Sequence, residues 1–162
     1  MWQSYKPLVT IYIIVPPFVN SSLLENSYFA VLYPFTSYVK LQDAYVSEAG
    51  EYYGSWAMIG YTMKSTTNFK FLEGTTENGV AAATSSELPA SAALTWSAKS
   101  NAALNDCNTN SLWNLSVKKN TGNGAGALYE AAITGGPTGK CVILTPSFGK
   151  LSNEAVKNVA AQ

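Results

Sequence analysis

Hydrophobic periodicity changes once along this chain, near Gly60, and that change limits the fold more than any other feature. From Thr36 to Gly50 apolar residues recur at steps of three and four. Tyr38, Leu41, Tyr45 and Ala49 form the stripe, and Phe35, Val39 and Val46 widen it. This is the spacing of an amphipathic helix. Thr36 or Ser37 can cap its start and Gly50 is a natural stop. The phase places Lys40, Gln42, Asp43 and Glu48 on the opposite side, toward water. The pattern can be followed back through Leu23–Tyr33, with Pro34 as a kink or a break.

Beyond Gly60 the period is two. Asn68–Phe71 alternates; Ala92–Lys99 puts Leu94, Trp96 and Ala98 on one face; Leu112–Lys118 does the same with Trp113, Leu115 and Val117. Leu128–Ile133 and Cys141–Leu144 are two further short strands on this pattern. Linkers such as Thr121–Gly124 and Gly135–Pro137 carry turn chemistry. Thr75–Ser91 reads as a surface loop, and Ser152 as the cap of a short closing helix with Val156 and Val159 on its apolar side. Short strands with no helices between them predict an antiparallel sheet. A lone amphipathic helix must bury its stripe, and one face of that sheet is the available surface. The expected class is therefore α+β, with the N-terminal helix packed on the sheet and residues 36–162 as the globular domain.

Residues 1–35 form an atypical N-terminal segment. Leu8–Val15 is continuously apolar and ends at Pro16-Pro17, too short for the roughly 20 residues of a spanning helix. Three readings stay open: the hydrophobic part of an export signal with Val19-Asn20-Ser21 as its cleavage site, a buried strand, or a non-native leader.

The chemistry available is narrow. The chain has no histidine, which removes Ser-His and Cys-His nucleophile pairs and most zinc or iron ligand sets. Ten basic residues balance ten acidic ones, and Lys118-Lys119 is the densest basic cluster, so no nucleic-acid partner is expected. Membrane contact is expected only through the N-terminal segment. Charged residues are 12% of the chain, which suits an exported protein or a packed assembly. In that setting Cys107 and Cys141 read as one disulfide, with two buried thiols as the alternative. Asp43, Glu48 and Glu51 are the tightest acidic group, but Asp43 and Glu48 do not share a helix face; Asp106 and Glu130 stand alone. No catalytic residue, metal ligand or cofactor is expected. Asn20 and Asn114 match the glycosylation acceptor pattern, which is common by chance, and Gly122–Gly126 is hairpin chemistry. Trp96 and Trp113 belong to the core. Tyr52 and Tyr53, with Trp56, form the candidate ligand or assembly surface, although the flanking Gly54 and Gly60 also suit a Trp56 packed beneath a loop.

Several motifs stand in a familiar order. Residues 38–61, Tyr-Val-Lys-Leu-Gln-Asp-Ala-Tyr-Val-Ser-Glu-Ala-Gly-Glu-Tyr-Tyr-Gly-Ser-Trp-Ala-Met-Ile-Gly-Tyr, are followed by Thr67-Asn68-Phe69-Lys70-Phe71, Leu104-Asn105-Asp106-Cys107, then Cys141 and Leu144-Thr145-Pro146-Ser147-Phe148-Gly149. This series resembles the type IV pilin-like and pseudopilin family, as found in pilin-like proteins of fibre-degrading gut bacteria, over roughly residues 36–151. The Gly-Phe-Thr-Leu-Ile-Glu of type IV prepilins is not matched; Ser22-Leu23-Leu24-Glu25 is a faint echo. The resemblance implies a pilin head, helix against antiparallel sheet, with a disulfide closing the C-terminal region. It implies a structural subunit of a bacterial surface fibre, outside the cell, with a part in adhesion to insoluble substrate. Its partners would be copies of itself or other pilin subunits. From a different class, an exposed aromatic strip would suit a secreted carbohydrate-binding module taking polysaccharide.

Overall fold

The computed structural model describes residues 25–122 and 126–162, with side chains from Pro34 onward. The Leu8–Val15 run, the Val19–Ser21 site, Asn20 and most of the Ser22–Glu25 echo lie outside the described residues. Helix α1 spans Glu25–Ala49 and stays helical across Pro34. Strands β1 (Tyr52–Gly54), β2 (Phe69–Glu73), β3 (Thr76–Glu77) and β4 (Ser85–Glu87) precede three long strands: β5 (Ala93–Ser100), β6 (Leu112–Lys119) and β7 (Ala127–Thr134). A crossover of two 3-10 turns flanking a short helix α2 (Lys140–Leu144) leads to β8 (Lys157–Val159). The main sheet has the order β3-β2-β5-β6-β7-β8, antiparallel throughout except for the parallel β7–β8 pair. β1 and β4 form a separate ribbon. The fold is α+β with one disulfide, Cys107–Cys141.

Alternation sets the inner face of the sheet. Phe71, Ala98, Trp113 and Ile133 lie in one cross-strand row, and Trp96, Leu115 and Ala131 in the next. All seven are buried. The expected alternation fails at one place. A bulge between Leu94 and Trp96 inserts Thr95 into β5, so Leu94 is turned outward and is 37% exposed. Leu94 does not share the face of Trp96 and Ala98.

The described side chains of α1 enter the same core through Phe35, Tyr38, Val39, Gln42 and Val46. Leu41 and Tyr45, expected at the centre of the stripe, are half-buried at its flank. Gln42, expected to face water, is fully buried. With its amide oriented by its partners, Nε2 donates to the Gly54 carbonyl at 3.1 Å and Oε1 accepts from the Gly54 N–H at 2.9 Å. The side chain thus behaves as a short strand against β1.

Two further expectations are corrected. Cys141–Leu144 is a helical turn, because the residues it buries, Cys141 and Leu144, are three apart while Ile143 is 66% exposed. The segment after Ser152 forms a strand, not a helix. Ser152 Oγ accepts from the Ala131 N–H at 3.0 Å, and Asn153 exchanges two bonds with the Tyr129 backbone at 2.8 and 2.9 Å. The open edge of β7 recruits this segment before it can coil. Thr75–Ser91 is mostly exposed but holds β3 and β4.

The crossover closes the core. Phe148 packs on Phe35 with ring centroids 4.3 Å apart, and Phe35 meets Trp96 at 5.3 Å. Each core indole has a partner: Trp96 donates to Tyr61 Oη at 3.0 Å, Trp113 to Thr145 Oγ1 at 2.7 Å and Trp56 to the Thr95 carbonyl at 3.1 Å. The Tyr38 hydroxyl is buried at the centre and makes no bond of normal geometry.

Candidate functional site

The surface tyrosines sit on β1. Tyr52 stands directly opposite Glu87 of β4 and is 47% exposed. Tyr53, next along the strand, points the other way and packs half-buried against the core. Trp56 is 2% exposed. It leaves the candidate surface because its indole is sealed beneath Gly79, where an added Cβ would lie 2.8 Å from the ring. Gly79 also holds φ +83°, so a side chain there is excluded on two counts.

A network of short bonds holds this end of the molecule. Glu73 closes β2 and accepts from two backbone donors, Trp56 N–H and Val80 N–H, each at 2.7 Å. Ser55 Oγ donates to the Ala82 carbonyl at 2.9 Å and accepts from the Thr84 N–H at 3.0 Å. The 55–61 and 78–84 loops are thereby tied to each other and to the end of β2. They enclose a depression of about 170 Å³ walled by Tyr53, Val80 and Leu94. Across Gly74 and Leu94 the outer face of the sheet holds a second, longer hollow of about 300 Å³. It is lined by Lys70, Lys99, Glu77 and Asn114 and by the leucines Leu72, Leu94 and Leu112. Ser97 donates to Asn114 Oδ1 at 2.9 Å there, so the Asn114 amide is engaged within the sheet.

The acidic residues are dispersed. Asp43 Oδ1 accepts from the Tyr129 hydroxyl at 2.7 Å. Burial raises the Asp43 carboxyl above its usual value, with the tyrosine bond acting in the opposite direction. Burial, and then the bond to Asp43, push the Tyr129 phenol well up. Burial also raises Tyr61 to about 12. Glu51 pairs with Lys119 at 2.6 Å. Glu130 is held below the usual glutamate range by Lys118, which donates to it at 2.7 Å, and by Lys157. Glu154 closes a four-charge ring with the same two lysines. Glu48 and Asp106 are exposed. Of the acidic group read from the sequence, Asp43 is bonded to Tyr129, Glu51 is paired with Lys119, and Glu48 is exposed. Among the described residues no three His, Cys, Asp or Glu side chains are placed to hold a metal ion, and no helix is long and apolar enough to cross a membrane.

Of the three candidate surface residues, Tyr52 is exposed, Tyr53 is half-buried and Trp56 is buried. Sequence reasoning missed Gln42, although Tyr38 and Val46 four positions to either side signal a shared face. It also missed Glu73 and the Lys70–Lys99 juxtaposition, which depend on register and have no local signal.

The described residues form a small α+β domain with one disulfide. No family model, no curated protein and no solved structure gives a significant match to the chain.

Proposed function

We propose that the chain is a structural subunit of the pilin or pseudopilin kind, a head that packs against copies of itself on a bacterial surface. One observation carries this reading: the order helix, antiparallel sheet, disulfide-closed crossover. Two contacts between α1 and the sheet support it: the Phe35 ring meets Trp96, and the Tyr129 hydroxyl donates to Asp43. The Cys107–Cys141 bridge then binds the β5–β6 connection to the crossover. The acids best placed for chemistry have structural employment: Glu73 on two backbone donors, Asp43 on Tyr129, Glu130 on two lysines. This favours a structural subunit over an enzyme. A carbohydrate-binding strip is a poorer fit, since the burial of Trp56 leaves Tyr52 as its one well-exposed ring.

Electron microscopy of the full chain tests the subunit reading by its filaments or ordered oligomers. Retention on cellulose by a strictly monomeric protein, lost in Tyr52→Ala, would replace it with the carbohydrate-binding reading.

A further inference from the structure

The outer face of the sheet carries an arrangement that folding alone disfavours. Lys70 and Lys99 are direct cross-strand partners, and like charges in that relation repel. Glu77 sits 3.3 Å from Lys70, while Lys99 has no ion-pair partner among the described residues. Both lysines line the hollow whose walls are Leu72, Leu94 and Leu112. Glu77 lines it too, so its charged side chains are two lysines and one glutamate, an excess of one positive charge beside the three leucines, and its volume of about 300 Å³ has room for an aromatic side chain. At the β1–β4 ribbon the opposite pattern occurs. Tyr52 projects beside Glu51 and directly opposite Glu87. The nearest lysine, Lys119, bonds to Glu51 and feels Glu87 only through space, so this tip carries more acid than base.

We propose that the two surfaces are the halves of one head-to-tail contact, in which the Tyr52 tip of one copy enters the Lys70–Lys99 groove of the next. The inference rests on the subunit reading and names the surfaces that reading would use. A ring flanked by two glutamates and one lysine meets a leucine-lined groove holding two lysines and one glutamate, so apolar contact and opposite net charge select the same partner. Because the surfaces lie at different places on the chain, the contact is heterologous, and repeated copies grow an open assembly unless the rotation closes a ring.

Sedimentation velocity on the full chain at low salt tests this. The native chain should associate with rising concentration and dissociate in high salt. Lys99→Glu and Glu87→Lys should each weaken association by about tenfold or more. The double variant, which restores opposite charges across the contact, should recover it. Lys99→Glu should melt no lower than the native chain, because Lys70 then faces a carboxylate, which separates lost contact from lost fold. If the native chain associates and Lys99→Glu does so equally well, or if the double variant fails to recover, this contact is wrong and the subunit reading stands. If the native chain stays monomeric at every concentration and salt, both fall.

Discussion

Gln42 and Tyr38 lie one helical turn apart in the same core and illustrate opposite uses of a buried polar atom. The Gln42 amide satisfies both backbone groups of Gly54. Gln42→Leu would keep the volume but strand a buried N–H and a buried C=O, and should cost about 2–4 kcal/mol in urea unfolding. The Tyr38 hydroxyl has only Thr95 near enough to interact and makes no bond of normal geometry. Tyr38→Phe should therefore be neutral within about 0.5 kcal/mol or slightly stabilising by the same assay, and a loss above about 1 kcal/mol would mean the hydroxyl has a partner. A helical wheel could reveal the position of Gln42 but not its role, because that role depends on where β1 returns.

The closing strand β8 owes its place to polar groups more than to burial. Its residues Lys157 and Asn158 are exposed and Val159 is half-buried, while the ring of Lys118, Glu130, Lys157 and Glu154 joins it to β6 and β7. Acid should loosen it first. The carboxyl of Glu130 titrates lower in the folded chain than its ordinary 4.5, so its contribution is complete above that value and is lost as pH falls below it. Asp43 works in the other direction. Its folded carboxyl keeps a proton above the ordinary 3.8, so its share is lost as pH rises from there. Glu130→Gln should lower the urea midpoint at neutral pH, and the gap to the native chain should close on acidification from about pH 5 to about pH 3. A gap that stays constant would exclude the ring as the source. These elements also show what local pattern can convey. β6 was legible because its alternation is uninterrupted, and the burial of Trp113, Leu115 and Val117 follows it. β5 misled at Leu94 because one inserted residue reverses every side chain before it. α2 and β8 were misread because segments of three to five residues take the form that neighbouring elements permit, here a crossover and an unfilled edge. Tyr52 was visible as a candidate contact, whereas the Lys70–Lys99 groove exists only once β2 and β5 are in register.

At the scale of the whole molecule the crossover is the closing act, and two features secure it. Phe148 fills the space between Phe35 and Trp96. Phe148→Ala should cost about 3–5 kcal/mol, measured by thermal or urea unfolding. The second is the bridge between Cys107 and Cys141, separated by 34 positions. Alkylation of the denatured, unreduced chain should add no label. Reduction should cost about 4 kcal/mol on a loop-closure estimate and lower the melting temperature by about 10 °C.

The same bridge has a mechanical consequence. β6 and β7, neighbouring strands of the sheet, both lie between the bonded cysteines. A pull on the two ends of the chain is carried past them through the sulfur–sulfur link. The 34 positions so bypassed correspond to about 120 Å of extended chain that tension cannot draw out. Force can strip β8, the ribbon and the helix, yet the β6–β7 hairpin stays unloaded and keeps its pairing. When the load is released, the peeled segments return to a loop whose ends the disulfide has kept together. If the chain is the fibre subunit proposed above, it would yield under tension by a length shortened by the bridge. Single-molecule pulling should show the missing length, and adding a reductant should restore it.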